Sequence, residues 1–359
     1  MEVLGATRHG EYDESLEFMR LEIPKISSEN DVLIEIAYTD VNPVDLQKLR
    51  GSGNGGPVVV DGGGGPFVPG YGGSGTVLEA GALVPADWKG RRACFVADPG
   101  RRGSYATHIL VDRRCVAPLP SGIDARDSAS VPVAGLTAYE SLRKAGLALI
   151  DNDGGGVESL LVVGGAGGVG SWTIALARAW HPALKIVATS STEEGRDWCL
   201  SLGADEAIPH EEITLRLPSV GADGSVDAII CLAEPTPELF RACADVIRPY
   251  GTVCLVVAGK AIRSLDLSYF LFKCATVATQ TVFSSMRTNF RRILPSEELG
   301  VILKLMDEGR VKAPISPDLV SGKVREDFRE ALSETGVLCA LAKTGGRRGK
   351  FVMKIHRNP

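Results

Sequence analysis

Leu160-Leu161-Val162-Val163-Gly164-Gly165-Ala166-Gly167-Gly168-Val169-Gly170 is the stretch on which the reading of this 359-residue chain turns. Its continuous apolar start suits a strand buried on both faces. The glycines that follow fit GxGxxG from Gly165 to Gly170, and Val169, Trp172, Leu176 and Ala179 then recur at helical spacing. In such a strand–turn–helix unit Gly165 permits the tight turn, Gly167 lets the backbone approach a pyrophosphate, and Gly170 lets the helix pack on the strand. Ala166, Gly168 and Val169 complete a loop whose free N–H groups and helix dipole favour an anion. A glycine turn of purely structural use has no need of the second strand that follows, so the segment reads as a dinucleotide site.

That second strand, Lys185 to Thr189, runs on into Ser190 and Ser191. An acid at its end would hold the ribose 2′-hydroxyl of NAD. Small hydroxyls instead leave room for a 2′-phosphate, and Arg196, one turn into the next helix, adds positive charge, so NADP(H) is the expected cofactor. Ser191 with Glu194 also has the spacing of a capping box, a role compatible with the first. Further strands at Val226 to Leu232 and Thr252 to Ala258 alternate with helices at Gly168 to Trp180, Glu193 to Leu202 and Glu238 to Ile247, and Ala275 to Phe283 closes the series. Such alternation predicts an α/β domain, a doubly wound parallel sheet with right-handed crossovers.

The rest of the chain differs in kind. Short strands such as Val32 to Tyr38 and Tyr105 to Val111 stand between Gly and Pro, which suits a β-rich domain. Gly51 to Gly75 is nearly all Gly, Pro and Val and is expected as a long loop; the role of the Gly51 to Gly65 run is left open. The tail offers helices at Ser296 to Glu308 and Arg325 to Glu334 and a last strand at Lys350 to His356. Two domains follow: 1–129 with 284–359, and 130–283. A formal net charge of −5 gives no general attraction to nucleic acid; Arg347, Arg348 and Lys350 are the only tight basic cluster near the C-terminus. No basic start precedes an apolar stretch, and none reaches about 18 residues, so no membrane span and a cytoplasmic location are expected. Eight scattered cysteines without a CxxC pair read as reduced core residues.

Beyond the loop, VNPVDLQKLRG (Val41 to Gly51), VPGYGGSGTVLEAG (Val68 to Gly81), GSYATHILV (Gly103 to Val111), SVPVAGLTAYESL (Ser130 to Leu142), SLGADEAIPH (Ser201 to His210) and the closing Ser333 to Ile355 occur in one order. In that order the chain resembles the medium-chain dehydrogenase/reductase superfamily, in particular its zinc-independent quinone oxidoreductase branch. TSSTEEGRDWCLSLGAD and VDAIICLAE are most similar to bacterial zinc-type alcohol dehydrogenase-like proteins. The resemblance implies a GroES-like β-rich catalytic domain plus a Rossmann domain, with the cofactor in the cleft between them. It places Asn42 and Pro43 beside the nicotinamide, Thr137 near its ribose, Ser190 and Ser191 at the adenine ribose and His210 beside the adenine. Leu232 and Ala258 follow cofactor-lining strands, and Lys350 would reach back across the cleft. Plainer roles stand beside these: Thr137 packing a connector helix, His210 in a surface turn, Lys350 at a solvated strand end.

The alcohol dehydrogenases' zinc ligands are missing. Asn42 stands at their Cys position, Gly70-Tyr71-Gly72 replaces Gly-His-Glu, and the four-cysteine lobe is absent, so no metal is expected. Gly72 also departs from the acid common there. The implied chemistry is hydride delivery from NADPH to a quinone or α,β-unsaturated carbonyl, with Asn42, Tyr71 or Tyr38 as donors to the developing oxyanion. Tyr71 reads sooner as a packed loop aromatic than as a proton donor. Two rivals remain open: a trans-acting enoyl reductase on thioesters, with the Arg347 to Lys350 cluster as the only hint, and a non-catalytic NADPH-binding protein. Relatives also imply a homodimer formed through Thr276 to Phe283.

Overall fold

A computed structural model describes residues 1–51, 65–147, 156–216, 224–290, 293–343 and 347–355, the Arg287 side chain excepted. The chain divides into two compact units, Met1–Leu136 with Phe283–Thr344 and Lys350–Pro359, and Thr137–Val282 with Gly345–Gly349. The division falls after Leu136 rather than after 129. The reason is local: Val131–Gly135 is a wide turn of π-helix, and its Val133 N–H donates to Asp40 Oδ2 at 3.3 Å inside the first unit.

In the first unit β1 (Glu2–Gly5) and β2 (Glu17–Arg20) form a small antiparallel pair. The main sheet is built from β3 (Asp31–Val41), β4 (Gly72–Ala80), β5 (Arg92–Val96), β6 (His108–Asp112) and β7 (Val116–Pro118). With the last strand, β14 (Phe351–Lys354), it runs β14-β3-β4-β5-β7, and β6 also pairs with β3; every pairing is antiparallel.

The second unit holds β8 (Ser159–Val163), β9 (Lys185–Thr189), β10 (Glu206–Ile208), β11 (Val226–Cys231), β12 (Ile247–Leu255) and β13 (Thr276–Thr279). They form a wholly parallel sheet in the order β10-β9-β8-β11-β12-β13. Leu160 to Val163 and Val226 to Ile230 are buried, as helices on both faces require. Chain order reverses between β8 and β11, and such a switch point opens a crevice at the strands' carboxyl ends.

Several expectations need correction. The loop foreseen as far as Gly75 ends earlier, because Gly72 to Gly75 belong to β4; a Cβ at Gly75 would lie 2.0 Å from the Glu35 carbonyl oxygen, so only glycine lets β4 approach β3 here. Residues 52–64 lie outside the described part. A helix was expected over Arg325 to Glu334, but only Phe328–Glu330 turns. The Glu326 carbonyl instead accepts from the Lys354 N–H at 2.7 Å, and the Asp327 side chain accepts from the Arg329 N–H. The true tail helix, Val337–Ala342, comes later. β10 was not foreseen at all, being only three residues long. β13 stops at Thr279, because Gln280 turns inward and its amide donates to the buried Glu140 carboxylate.

Candidate active site

In the second unit β8 delivers the glycine loop to the switch point, and helix Gly168–Trp180 leaves from it. The tight turn sits at Gly164, whose φ of +84° falls in the left-handed region, and not at Gly165. Gly165 is small for another reason: a Cβ there would lie 2.9 Å from Ala188 Cβ and 3.1 Å from Cys199 Sγ. At Gly170 it would lie 2.4 Å from the Gly164 carbonyl oxygen, so the helix packs directly on the turn. Gly167 is unlike both. Its Cβ would meet nothing nearer than the Gly164 oxygen at 3.7 Å, so internal packing does not require glycine there. Gly167, Gly168 and Val169 are half-exposed, and no side chain caps the helix. Ala166 is buried, and its carbonyl accepts from the Gly349 N–H at 2.9 Å. A dinucleotide's pyrophosphate fits this cradle.

At the end of β9, Thr189 Oγ1 accepts from the Gly164 N–H at 3.1 Å and lies 2.6 Å from His210 Nδ1. Burial lowers the His210 pKa, which favours neutral imidazole. The Thr189 hydroxyl and Nδ1 share one hydrogen bond, whose donor is set by the imidazole tautomer. His210 is thus tethered to the loop rather than a free turn residue. Ser190 is buried, Ser191 is exposed, and Arg196 donates to the Ser190 carbonyl at 3.3 Å. The cap of helix Glu193–Ser201 is Thr192, whose side chain accepts from the Gly195 N–H, so Ser191 does not serve as that cap. Leu232 follows β11 and donates to the Val163 carbonyl at 3.0 Å; Ala258 lies exposed beyond β12. Thr137 is buried in the first turn of helix Leu136–Lys144, its carbonyl accepting from Ser141 Oγ.

The first unit carries a different arrangement. β3 ends at Val41, Asn42 caps helix Pro43–Leu49 with Pro43 exposed in its first turn, and the Asn42 N–H donates to Asp45 Oδ2 at 2.7 Å. Tyr105 Oη donates to the same oxygen at 2.9 Å. Lys350 does not reach outward. It is 2% exposed, and its Nζ donates to the Val41 carbonyl at 2.7 Å and to Asn42 Oδ1 at 2.5 Å, with Asp40 Oδ2 at 3.8 Å. Burial, and then the charge of Asp40, pushes the Asp45 carboxyl up to about 7. Burial also raises the Asp40 pKa against the pull of Lys350, and it lowers the Lys350 ammonium pKa. Sequence reasoning passed over Asp40, Asp45 and Tyr105. Only Asp45 left a local signal, standing at capping-box spacing from Asn42.

Tyr71 precedes β4 with 1% of its surface exposed, its ring edge-on to Phe283 at 5.1 Å and Lys48 Nζ 5.2 Å from its centroid. Its hydroxyl has no hydrogen-bond partner among the described residues, and burial raises its pKa. Gly72 explains its own departure from an acid: a Cβ would lie 2.6 Å from Pro132 Cβ and 3.1 Å from Asp40 Oδ2. The carboxylate comes from β3 instead. Among the described residues no three His, Cys, Asp or Glu side chains gather as a metal would need, so the donor set does not fit zinc.

Residues 28–121 match the alcohol dehydrogenase GroES-like domain, and residues 168–296 match the zinc-binding dehydrogenase family. A zinc-type alcohol dehydrogenase-like protein of Staphylococcus aureus is 29% identical over 336 residues, covering 92% of this chain and 95% of that one. A 2-methylene-furan-3-one reductase of Solanum lycopersicum is 35% identical over 208 residues, 55% of this chain and 50% of that one. The fold is also that of the Escherichia coli quinone oxidoreductase solved with NADPH, with a TM-score of 0.75 at 20% identity over 99% of this chain and 100% of that one. With a GroES-like β unit followed by a parallel sheet of dinucleotide-binding order, the chain belongs to the medium-chain dehydrogenase/reductase superfamily.

Proposed function

We propose that the chain is an NADPH-dependent, zinc-independent reductase that acts on a quinone or an α,β-unsaturated carbonyl. The observation that carries this reading is the buried Asn42 carboxamide, backed by Lys350, at the point where the alcohol dehydrogenases place a zinc-binding thiolate. A carboxamide polarises a carbonyl by donating a hydrogen bond. It does not deprotonate an alcohol as a zinc centre does, so the site suits an acceptor that is already electrophilic. NADPH, when bound, supplies the hydride.

The chain's own residues do the rest. The Gly167 to Val169 backbone holds the pyrophosphate, and Ser190, Ser191 and Arg196 form a surface for a 2′-phosphate, hydroxyls standing at the end of β9 where an acid would hold a free 2′-hydroxyl. Asn42 donates to the oxygen on which charge develops, and Tyr71, whose buried hydroxyl has no partner among the described residues, is the second donor in reach of this reading. The tomato relative is named as a 2-methylene-furan-3-one reductase, an enone reductase, and the Escherichia coli neighbour of the same fold is a quinone oxidoreductase solved with NADPH.

The test is cofactor oxidation with NADPH and NADH separately, against 1,4-benzoquinone, 9,10-phenanthrenequinone, 2-alkenals and crotonyl-CoA. Quinone or enone turnover with NADPH is expected. Faster turnover with NADH overturns the cofactor choice, preference for crotonyl-CoA points to the enoyl reductase, and binding without turnover points to a non-catalytic protein. We further propose a cytoplasmic homodimer. Its eight free cysteines suit a reducing compartment. β13 pairs only with β12 among the described strands, and Leu267, Leu271 and Phe272 before it are exposed, a combination that asks to be covered. A monomer in sedimentation overturns the dimer.

A further inference from the structure

Three tethers place Asn42. Its N–H is held by Asp45 Oδ2 at 2.7 Å, its Oδ1 by Lys350 Nζ at 2.5 Å, and Lys350 in turn by the Val41 carbonyl at 2.7 Å. An ammonium group offers only protons, so the carboxamide atom facing it must be the oxygen. Nδ2 is left as the side chain's remaining valence. That nitrogen is buried; it leans on the Asp40 carboxylate, which it helps to keep ionised, and it has no other partner among the described residues.

A purely structural ion pair would look different. Lys350 sits 3.8 Å from Asp40 Oδ2 but 2.5 Å from Asn42 Oδ1, so its shorter contact is to the amide. The join of β14 to β3 is already made by backbone pairing from Phe351↔Val41 to Lys354↔Tyr38. Gly72 leaves the space in which the Asp40 carboxylate balances the ammonium.

We propose that Lys350 and Asp40 are positioning residues that lock the Asn42 carboxamide with its oxygen inward, making it a hydrogen-bond donor committed to a ligand's carbonyl oxygen. The inference rests on the reductase reading. Two ligands carry that chemistry, the acceptor's carbonyl and the nicotinamide carboxamide. An unlocked amide would offer either atom and lose the distinction between a carbonyl and a donor group.

The test uses the full-length protein and the double variant D40N/K350M, which removes both charges of the pair together. Asn42→Asp is the second variant, keeping the shape and the Lys350 contact while removing the donor. kcat and KM for 9,10-phenanthrenequinone at saturating NADPH read the acceptor arm. The ratio of affinities for NADPH and 2′,5′-ADP, which lacks the nicotinamide, reads the cofactor arm. Both variants are expected to lose about 100-fold in kcat, as for loss of one preorganised donor, or about tenfold in the affinity ratio, while 2′,5′-ADP binds as in the wild type. kcat and ratio both within threefold of wild type in the double variant would overturn the proposal. Should the wild type reduce no quinone or enone, the reductase reading falls and the affinity ratio alone decides.

Discussion

The glycine loop of the second unit and the charged cluster of the first do opposite things with side chains. At Gly164 to Gly170 side chains are left out, so that backbone N–H groups and a helix end stand open. Around Asn42 they are packed in, Asp40, Asp45, Tyr105 and Lys350 together at 5% exposure or less, so that one carboxamide is held still. The loop is robust in charge and fragile in volume. The cluster is the reverse, since each of its ions is tolerable only while its partner remains.

That contrast can be broken in graded ways. The largest effect should come from K350M alone, which strands Asp40 in the interior: a loss of about 3–5 kcal/mol in urea unfolding, mostly recovered in D40N/K350M, is expected. An unshifted midpoint would mean that the cluster is not an ion pair at all. Next comes pH. The Asp45 carboxyl is raised in the folded state from 3.8 to about 7, so folding takes up a proton. Its stabilising share is full below about pH 4 and is lost as pH rises to about 7, at up to roughly 1.4 kcal/mol per pH unit. D45N should flatten that slope between about pH 4 and 7, and an unchanged slope in the variant would assign it elsewhere.

On the loop side, G170A should cost about 1–3 kcal/mol by overpacking against Gly164. G167A should cost less than about 1 kcal/mol yet weaken NADPH binding, which calorimetry would show. Equal losses in the two variants would erase the distinction between a packing glycine and a ligand glycine. Smaller still, R196Q should weaken NADPH by about fivefold, near 1 kcal/mol, and leave NADH unchanged. Y71F should move the unfolding midpoint by less than about 0.5 kcal/mol, because the hydroxyl it removes has no described partner. Any fall in kcat would then belong to the donor role.

The same contrast governs what could be read in advance. The loop is local, and its signal lies in eleven consecutive residues, so β9 and helix Gly168–Trp180 fall where periodicity puts them. Its fine roles were less legible: the left-handed turn is one residue earlier than the motif suggests, and Gly165 answers to Ala188 and Cys199, which are neighbours only in space. The cluster joins positions 40, 42, 45, 105 and 350, and no window of sequence contains them. Lys350 illustrates the cost, since a lysine opening a strand looks solvated until β14 is laid against β3. The false helix at Arg325 to Glu334 has the same origin, because its pattern is helical but the Glu326 carbonyl is claimed by Lys354.

Gly72 and Asp40 carry one carboxylate between two adjacent strands, and the 3.1 Å separation leaves room for one only. An acid placed at position 72 would therefore set two like charges side by side in one buried space, so this corner of the sheet can carry its carboxylate on β3 or on β4 but not on both.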